Sequence, residues 1–264
     1  MEKLSKRQRH DRILARLGSS VSVRISELAE EFAVTTETIR RDLDELAELE
    51  LLSRTYGGAA LRTLSAEPGI ATRAKALVAE RRLIAQRAVR LVKPGDVLAI
   101  DAGSTTTHFA EALVHSMLDI KVITNSFGVA RTLSQSESAS VLFCPGEVRL
   151  TEEGVFGPET IEFIGRYHAD IAFIGAGGFD TTEVTDADDA GTAVKRAIMA
   201  RSARTVLLAD HTKAGSTQFS RVCVLEDLDV LVTDAPLPED LRREFSDAKV
   251  EVEVAELARA GMAA

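Results

Sequence analysis

The apolar residues follow two different rhythms, and the change between them divides the chain. Up to about residue 60 they recur at helical spacing. Ile13, Leu14 and Leu17 make one stripe, Leu28, Ala29 and Phe32 a second, and Ile39, Leu43, Leu46 and Ala47 a third at i, i+4, i+7 and i+8. This pattern predicts a helix over 6–17, stopped by Gly18, then a polar and β-branched connection from Ser19 to Arg24. A short helix follows from Glu27 to Phe32, with Ser26 as its cap and Ile25 as a hydrophobic staple. A tight turn at Ala33-Val34 leads to a third helix that opens at Thr36 behind an N-cap at Thr35. Residues 51–59 then read as a strand, a glycine turn at Gly57-Gly58 and a return strand.

Two helices joined by a short turn, with a hairpin behind them, make a winged helix-turn-helix. At about 100° per residue, Arg41 points away from the apolar stripe of the third helix, flanked by Arg40 and Thr38. Hydroxyls and adjacent arginines on the outer face of a helix whose back is apolar suit the DNA major groove. The residues expected to touch DNA are Thr36, Thr38, Arg40 and Arg41 on this helix, with Arg54 and Tyr56 on the wing.

From Glu80 onward, strand-length runs of Val, Ile and Leu alternate with helical stretches. Strands are expected at 97–100, 121–123, 140–143, 170–174, 205–209, 229–232 and 249–254. Helices are expected near 81–92, 107–117, 127–134, 158–166, 190–202 and 238–245. This alternation predicts an α/β domain with a mostly parallel sheet covered on both faces. The expected division is 1–62 for the helix-turn-helix, 63–79 for a linker carrying Pro68-Gly69, and 80–264 for the α/β domain.

In such a sheet a ligand binds beyond the carboxyl ends of the strands. There the sequence places Asp101, Gly103, Ser104, Thr105 and Thr106, then Asn125, then Gly146 and Glu147, and finally Asp210 and Lys213. Hydroxyls and a glycine at a helix start form an anion cradle suited to phosphate, and Lys195 and Lys213 add positive charge. Asp101, Asn125, Glu147 and Asp210 are candidates to hold sugar hydroxyls. Neither a Walker A nor a GxGxxG pattern is present, so no nucleotide cofactor is expected, and the five scattered histidines suggest no metal site.

Charge qualifies this picture. The net charge of -9 disfavours nucleic acid, but residues 1–62 hold 11 basic and 11 acidic side chains, so the whole excess of acid lies beyond them. Lys3, Lys6, Arg7, Arg9, Arg12 and Arg16 crowd one N-terminal segment with only Glu2 and Asp11 opposing, and the arginines of the first helix are expected outward. No run approaches the roughly 18 apolar residues of a membrane helix, which with the polar start predicts a cytoplasmic protein that avoids membranes. Cys144 and Cys223 lie in apolar strand-like stretches and are expected as buried thiols.

The string Thr38-Ile39-Arg40-Arg41-Asp42-Leu43, with Arg54 and Gly57-Gly58-Ala59 behind it, resembles the DNA-binding module of the DeoR family of bacterial repressors. Glu50 stands where that family usually has Gly or Asn, and Tyr56 where His is common. Asp101–Thr106, Thr124-Asn125-Ser126, Gly146–Arg149, Val194-Lys195-Arg196 and Asp210–Lys213 are similar to the family's sensor domain, which is related to ribose-5-phosphate isomerase. The resemblance implies a regulator whose binding to a double-stranded operator responds to a phosphorylated sugar or polyol. One recognition helix covers few base pairs, so a homodimer or homotetramer is expected. The alternative is an isomerase carrying a DNA-binding module. The resemblance aligns Arg196 near the isomerase's catalytic base, and an arginine cannot serve as a base, although Asp188 and Asp189 are close by. No catalytic residue is therefore assigned.

Overall fold

The computed structural model describes residues 4–18, 22–48, 51–55, 57–60 and 69–255. The chain forms two compact units, Met1–Pro68 and Gly69–Ala264.

The first unit contains α1 (Lys6–Gly18), β1 (Ser22–Arg24), α2 (Ile25–Glu31), α3 (Thr36–Glu48), β2 (Ser53–Thr55) and β3 (Gly58–Ala60). Ile13, Leu17, Leu28, Phe32, Ile39, Leu43 and Leu46, the expected stripes, converge with Val23, Leu52 and Ala59 into one core. The hairpin is the wing, and its return strand also pairs with β1, so the sheet runs β1-β3-β2, all antiparallel. The connection read from Ser19 to Arg24 thus contains a strand. Gly58 permits this closeness, since a Cβ there would lie 2.0 Å from the carbonyl oxygen of Val23. Ser26 does not cap α2. The helix opens two residues earlier than Glu27, at Ile25, behind Arg24, which makes no side-chain cap bond; Ile25 lies in the core as a helical residue rather than as a staple before it. Glu50 and Tyr56 lie outside the described residues.

The second unit opens with α4 (Ile70–Arg73) and α5 (Val78–Val89), and then alternates: β4 (Val97–Ile100), α6 (Ser104–Ser116), β5 (Ile120–Thr124), α7 (Phe127–Leu133) and β6 (Ala139–Phe143). A hairpin of β7 (Glu147–Arg149) and β8 (Gly154–Phe156) precedes α8 (Pro158–Gly165) and β9 (Ala169–Ile174). There follow β10 (Gly178–Phe179), β11 (Glu183–Asp186), α9 (Asp189–Ala200), β12 (Ser202–Leu208), β13 (Ser220–Val224), β14 (Val230–Thr233), α10 (Glu239–Asp247) and β15 (Glu251–Val254). Residues 69–79, assigned from sequence to a linker, fall within this unit, where they include α4 and the start of α5.

Seven strands form one parallel sheet in the order β15-β14-β12-β9-β4-β5-β6. Alternate residues of each strand feed opposite layers. Leu98, Ile100, Phe173, Leu208 and Val232 pack under α5, α6 and α7, with the rings of Phe109 and Phe173 4.2 Å apart. Ala99, Ala172, Ile174, Leu207 and Leu231 face Ile164, Val194, Ile198 and Phe245 from α8, α9 and α10. A small antiparallel sheet, β10-β11-β13, supplies Phe179, Val184 and Val222 to this second layer. Each of the seven expected strands has its counterpart in the large sheet. The hairpin and the small sheet were not anticipated, because their strands are short and broken by glycines and charges. Among the described residues no helix is long and apolar enough to cross a membrane.

Candidate functional site

In the first unit, α3 carries the side chains expected to face a groove. The backbone N–H of Thr38 donates to Thr35 Oγ1 at 3.2 Å, so Thr35 caps the helix as its sequence position suggests. The hydroxyls of Thr35 and Thr38 lie 2.9 Å apart, which turns Thr38 toward the cap, while Thr36 stays exposed. The side chains of Arg40 and Arg41 are 58% and 77% exposed, each within 4 Å of Glu37. Such exposed pairs are weak, so both guanidiniums are available to a duplex. Arg54 sits on β2, and its side chain lies outside the described part of the structure.

The next residue of the motif has the opposite fate. Asp42 is buried, and it accepts two hydrogen bonds from Arg9, from Nε at 2.6 Å and Nη2 at 2.9 Å. His10 Nε2 lies 3.2 Å from the same carboxylate. This forked pair ties α1 to α3 and raises the Arg9 pKa, the Asp42 hydrogen bond outweighing burial. Arg9, read from sequence as one of the outward arginines of α1, is instead part of the scaffold.

In the second unit, a narrow cleft opens beyond the carboxyl ends of β4, β9 and β12. Its lining includes Gly103, Ser104 and Thr105 at the start of α6, Gly175 and Ala176 after β9, Asp186, Lys195 and Lys213, and also Arg73 and Arg81. The N-cap Gly103 has no side chain to occupy the first N–H groups of α6. Thr106 was expected in this cradle but turns inward. It is fully buried, and its hydroxyl donates to the carbonyl oxygens of Asp101 and Gly103, both at 3.0 Å, which fixes the turn.

Lys195 does not project into solvent as a free cation. Its Nζ lies 2.5 Å from Asp101 Oδ2 and 3.1 Å from Asp186 Oδ2, and the side chain is 7% exposed. Burial acts to lower its pKa, but the two carboxylates outweigh it and the pKa is raised, so the amine stays charged. Asp101 Oδ2 also accepts from the Gly175 N–H, while Oδ1 is buried with no hydrogen-bond partner. Asp210 holds the following turn through Thr212 and lies 3.4 Å from Arg81 Nη2.

Three other expected residues lie apart from the cavity lining. Asn125 is buried and donates to the Val155 carbonyl, holding β8 in place. Gly146 is a packing glycine: at φ +148°, a Cβ would sit 2.1 Å from Thr160 Oγ1. Glu147 is exposed on β7, paired with Phe156. Conversely, Asp186, Arg73 and Arg81 were missed. Asp186 ends a strand that the sequence pattern did not reveal, and both arginines precede the sheet, where a search of strand ends does not look. The regular spacing of Arg81 ahead of Ile84, Ala85 and Ala88 was the available signal, because it places the arginine on the buried face of α5.

A second concavity, beside the stacked rings of Phe127 and Phe143, is larger but holds only Arg131 and Glu153 as charged groups. It lacks the convergent polar atoms of the first. Burial pushes the thiols of Cys144 and Cys223 up to about 12, so both are protonated and inert at neutral pH. Arg196 donates to the carbonyls of Val222 and Arg221, and Asp188 caps α9 while pairing with Arg149 at 3.1 Å. Among the described residues no cluster of His, Cys, Asp or Glu is arranged to hold a metal ion.

Comparison with known proteins agrees with this geometry. A DeoR-like helix-turn-helix domain matches residues 9–64, and a DeoR C-terminal sensor domain matches residues 77–235. The chain is 32% identical over 251 residues to the glycerol-3-phosphate regulon repressor of Escherichia coli K12, covering 94% of this chain and 98% of that protein. It is 33% identical over 256 residues to the HTH-type transcriptional regulator YulB of Bacillus subtilis 168, covering 96% and 98%. Ribose 5-phosphate isomerase A from Neisseria gonorrhoeae is a structural neighbour with a TM-score of 0.37 and 21% identity over 51% of this chain and 52% of its own. The chain belongs to the DeoR family: it is a DNA-binding transcriptional regulator rather than an enzyme.

Proposed function

We propose that this regulator represses genes of sugar or polyol metabolism, and that a phosphorylated sugar or polyol bound beyond β4, β9 and β12 alters its affinity for the operator. The observation that carries this reading is the open start of α6 at Gly103, Ser104 and Thr105, with Arg73, Arg81 and Lys213 lining the same cavity. A helix N-terminus with its N–H groups uncapped attracts phosphate, and the arginines add directed donors. The name of the E. coli relative supports a phosphorylated polyol as the chemical class. Thr36, Arg40 and Arg41 read the operator, joined by Thr38 once its hydroxyl leaves the cap, and Arg54 and Tyr56 touch the backbone from the wing. A homodimer or homotetramer places two such helices on repeated half-sites.

The test is a thermal-shift screen of phosphorylated sugars and polyols beside their unphosphorylated parents. At a hundredfold excess over Kd, a ligand that binds only the native state adds about 2.7 kcal/mol, a shift of several degrees. Wild type is expected to respond to a phosphorylated compound, and Ser104→Asp to lose the response because its carboxylate occupies the cradle. No shift across the panel, or equal shifts for both proteins, would overturn this assignment.

A further inference from the structure

The cations around the cavity are not equivalent. Lys195 is locked between Asp101 and Asp186, a trio with a net charge of −1 that offers no attraction to an incoming anion. Arg81 is 4% exposed and bridges Asp210 and the backbone carbonyl of Arg73, so it serves as a brace. Arg73 differs from both. Its side chain is 15% exposed, and its ion-pair partner is Glu152, 26% exposed, at the end of the 3-10 turn Leu150–Glu152. The start of α4 packs against that same turn, where a Cβ on Gly69 would lie 3.3 Å from the Thr151 carbonyl.

Building on the reading of this cavity above, we propose that Arg73 is the effector's exchangeable anion contact: the phosphate takes Arg73 from Glu152, and α4 shifts with it. The chemistry favours the exchange. A phosphate dianion offers a guanidinium fork twice the charge of a carboxylate, and the open α6 N-terminus binds it from the other side. The pair is partly buried, and the second charge of the phosphate together with the α6 N-terminus offsets the cost of parting it. The motion has a route, because the carbonyl of Arg73 is the acceptor for Arg81. It also has a consequence. α4 is the first described helix after the division at Pro68–Gly69, so a ligand that selects one position of α4 acts on the segment at which the chain enters the sensor unit.

The test is hydrogen exchange on the full chain, with inorganic phosphate as the probe and chloride at matched ionic strength as the control. Two segments are read separately: Gly103–Thr107 for the cavity and Gly69–Ala76 for α4. In wild type, phosphate is expected to slow exchange in the first and change it in the second. Arg73→Gln keeps the carbonyl that Arg81 needs. It should raise the half-saturating phosphate concentration about tenfold or more, the loss of one charge-assisted contact, and abolish the response of α4. Glu152→Gln removes the competitor and should lower half-saturation about two- to fivefold. If phosphate protects Gly103–Thr107 equally in wild type and Arg73→Gln while Gly69–Ala76 is unchanged, the role of Arg73 is overturned and the cavity assignment stands. No protection of Gly103–Thr107 in wild type overturns both.

Discussion

The two units treat their charges in opposite ways. On α3 the arginines proposed to read DNA stand in water, more than half exposed, with only weak pairs to Glu37. In the sensor unit the corresponding cations are sunk among carboxylates, Lys195 with Asp101 and Asp186, Arg81 with Asp210. The difference follows from the partner. A duplex brings its own polyanionic surface and must be met by groups already outside, whereas a proposed small-molecule site is enclosed and has to be balanced when empty. The first unit has a buried counterpart of its own in Asp42 with Arg9 and His10, but it sits behind the reading face, as support.

The sharpest way to break the comparison is to strip each buried cluster of its centre. Lys195→Met leaves Asp101 and Asp186 facing each other out of water and should cost about 3–5 kcal/mol in chemical denaturation of the sensor unit. In the wild type the raised pKa of Lys195 means its contribution is complete below about pH 10 and is lost only as pH climbs through the raised value. Asp42→Ala should fall toward the lower end of the same range, because Arg9, 12% exposed, can turn to solvent.

An intermediate effect is expected on the exposed side. Arg41→Ala should leave stability unchanged and weaken operator binding by about 1–3 kcal/mol if it reads a base edge. Anisotropy titrations with operator and scrambled DNA separate base reading from phosphate contact, since a phosphate contact weakens both equally.

The smallest effect concerns Asp234, whose pKa is lowered. Burial opposes this, but His211 donates from its ring at 2.7 Å and from its backbone N–H at 2.7 Å, and the hydrogen bonds prevail. A depressed carboxylate stabilises above its ordinary pKa and loses that advantage as pH falls through the folded value. Asp234→Asn should therefore destabilise at pH 7, and the gap from wild type should close below about pH 4. Melting curves of both proteins between pH 7 and 3 provide the check.

Periodicity exposed the parallel sheet and the three helices of the first unit because each buries a continuous apolar stripe. It could not expose β7, β8, β10 and β11, whose few residues pair through backbone atoms that carry no sequence pattern. The candidate cleft was legible where a glycine-hydroxyl turn opens α6, and obscure where its lining depends on residues far apart in the chain. Thr106 and Asn125 look like ligand-binding residues in sequence, yet each binds a backbone carbonyl. Arg73 and Arg81 reach the cavity from helices that precede the sheet.

The pairing of Asp42 with Arg9 also bears on how this protein responds to the ionic medium. Affinity for a duplex falls with added electrolyte in proportion to the number of phosphates neutralised, because each releases condensed counterions. Of the six basic residues between positions 3 and 16, Arg9 is held by Asp42, and Lys6 and Arg16 lie within 4 Å of Glu45 and Glu31. Arg9 is thus neutralised within the fold rather than presented to a duplex, and the electrolyte dependence of operator binding will be shallower by that contact than the count of lysines and arginines suggests.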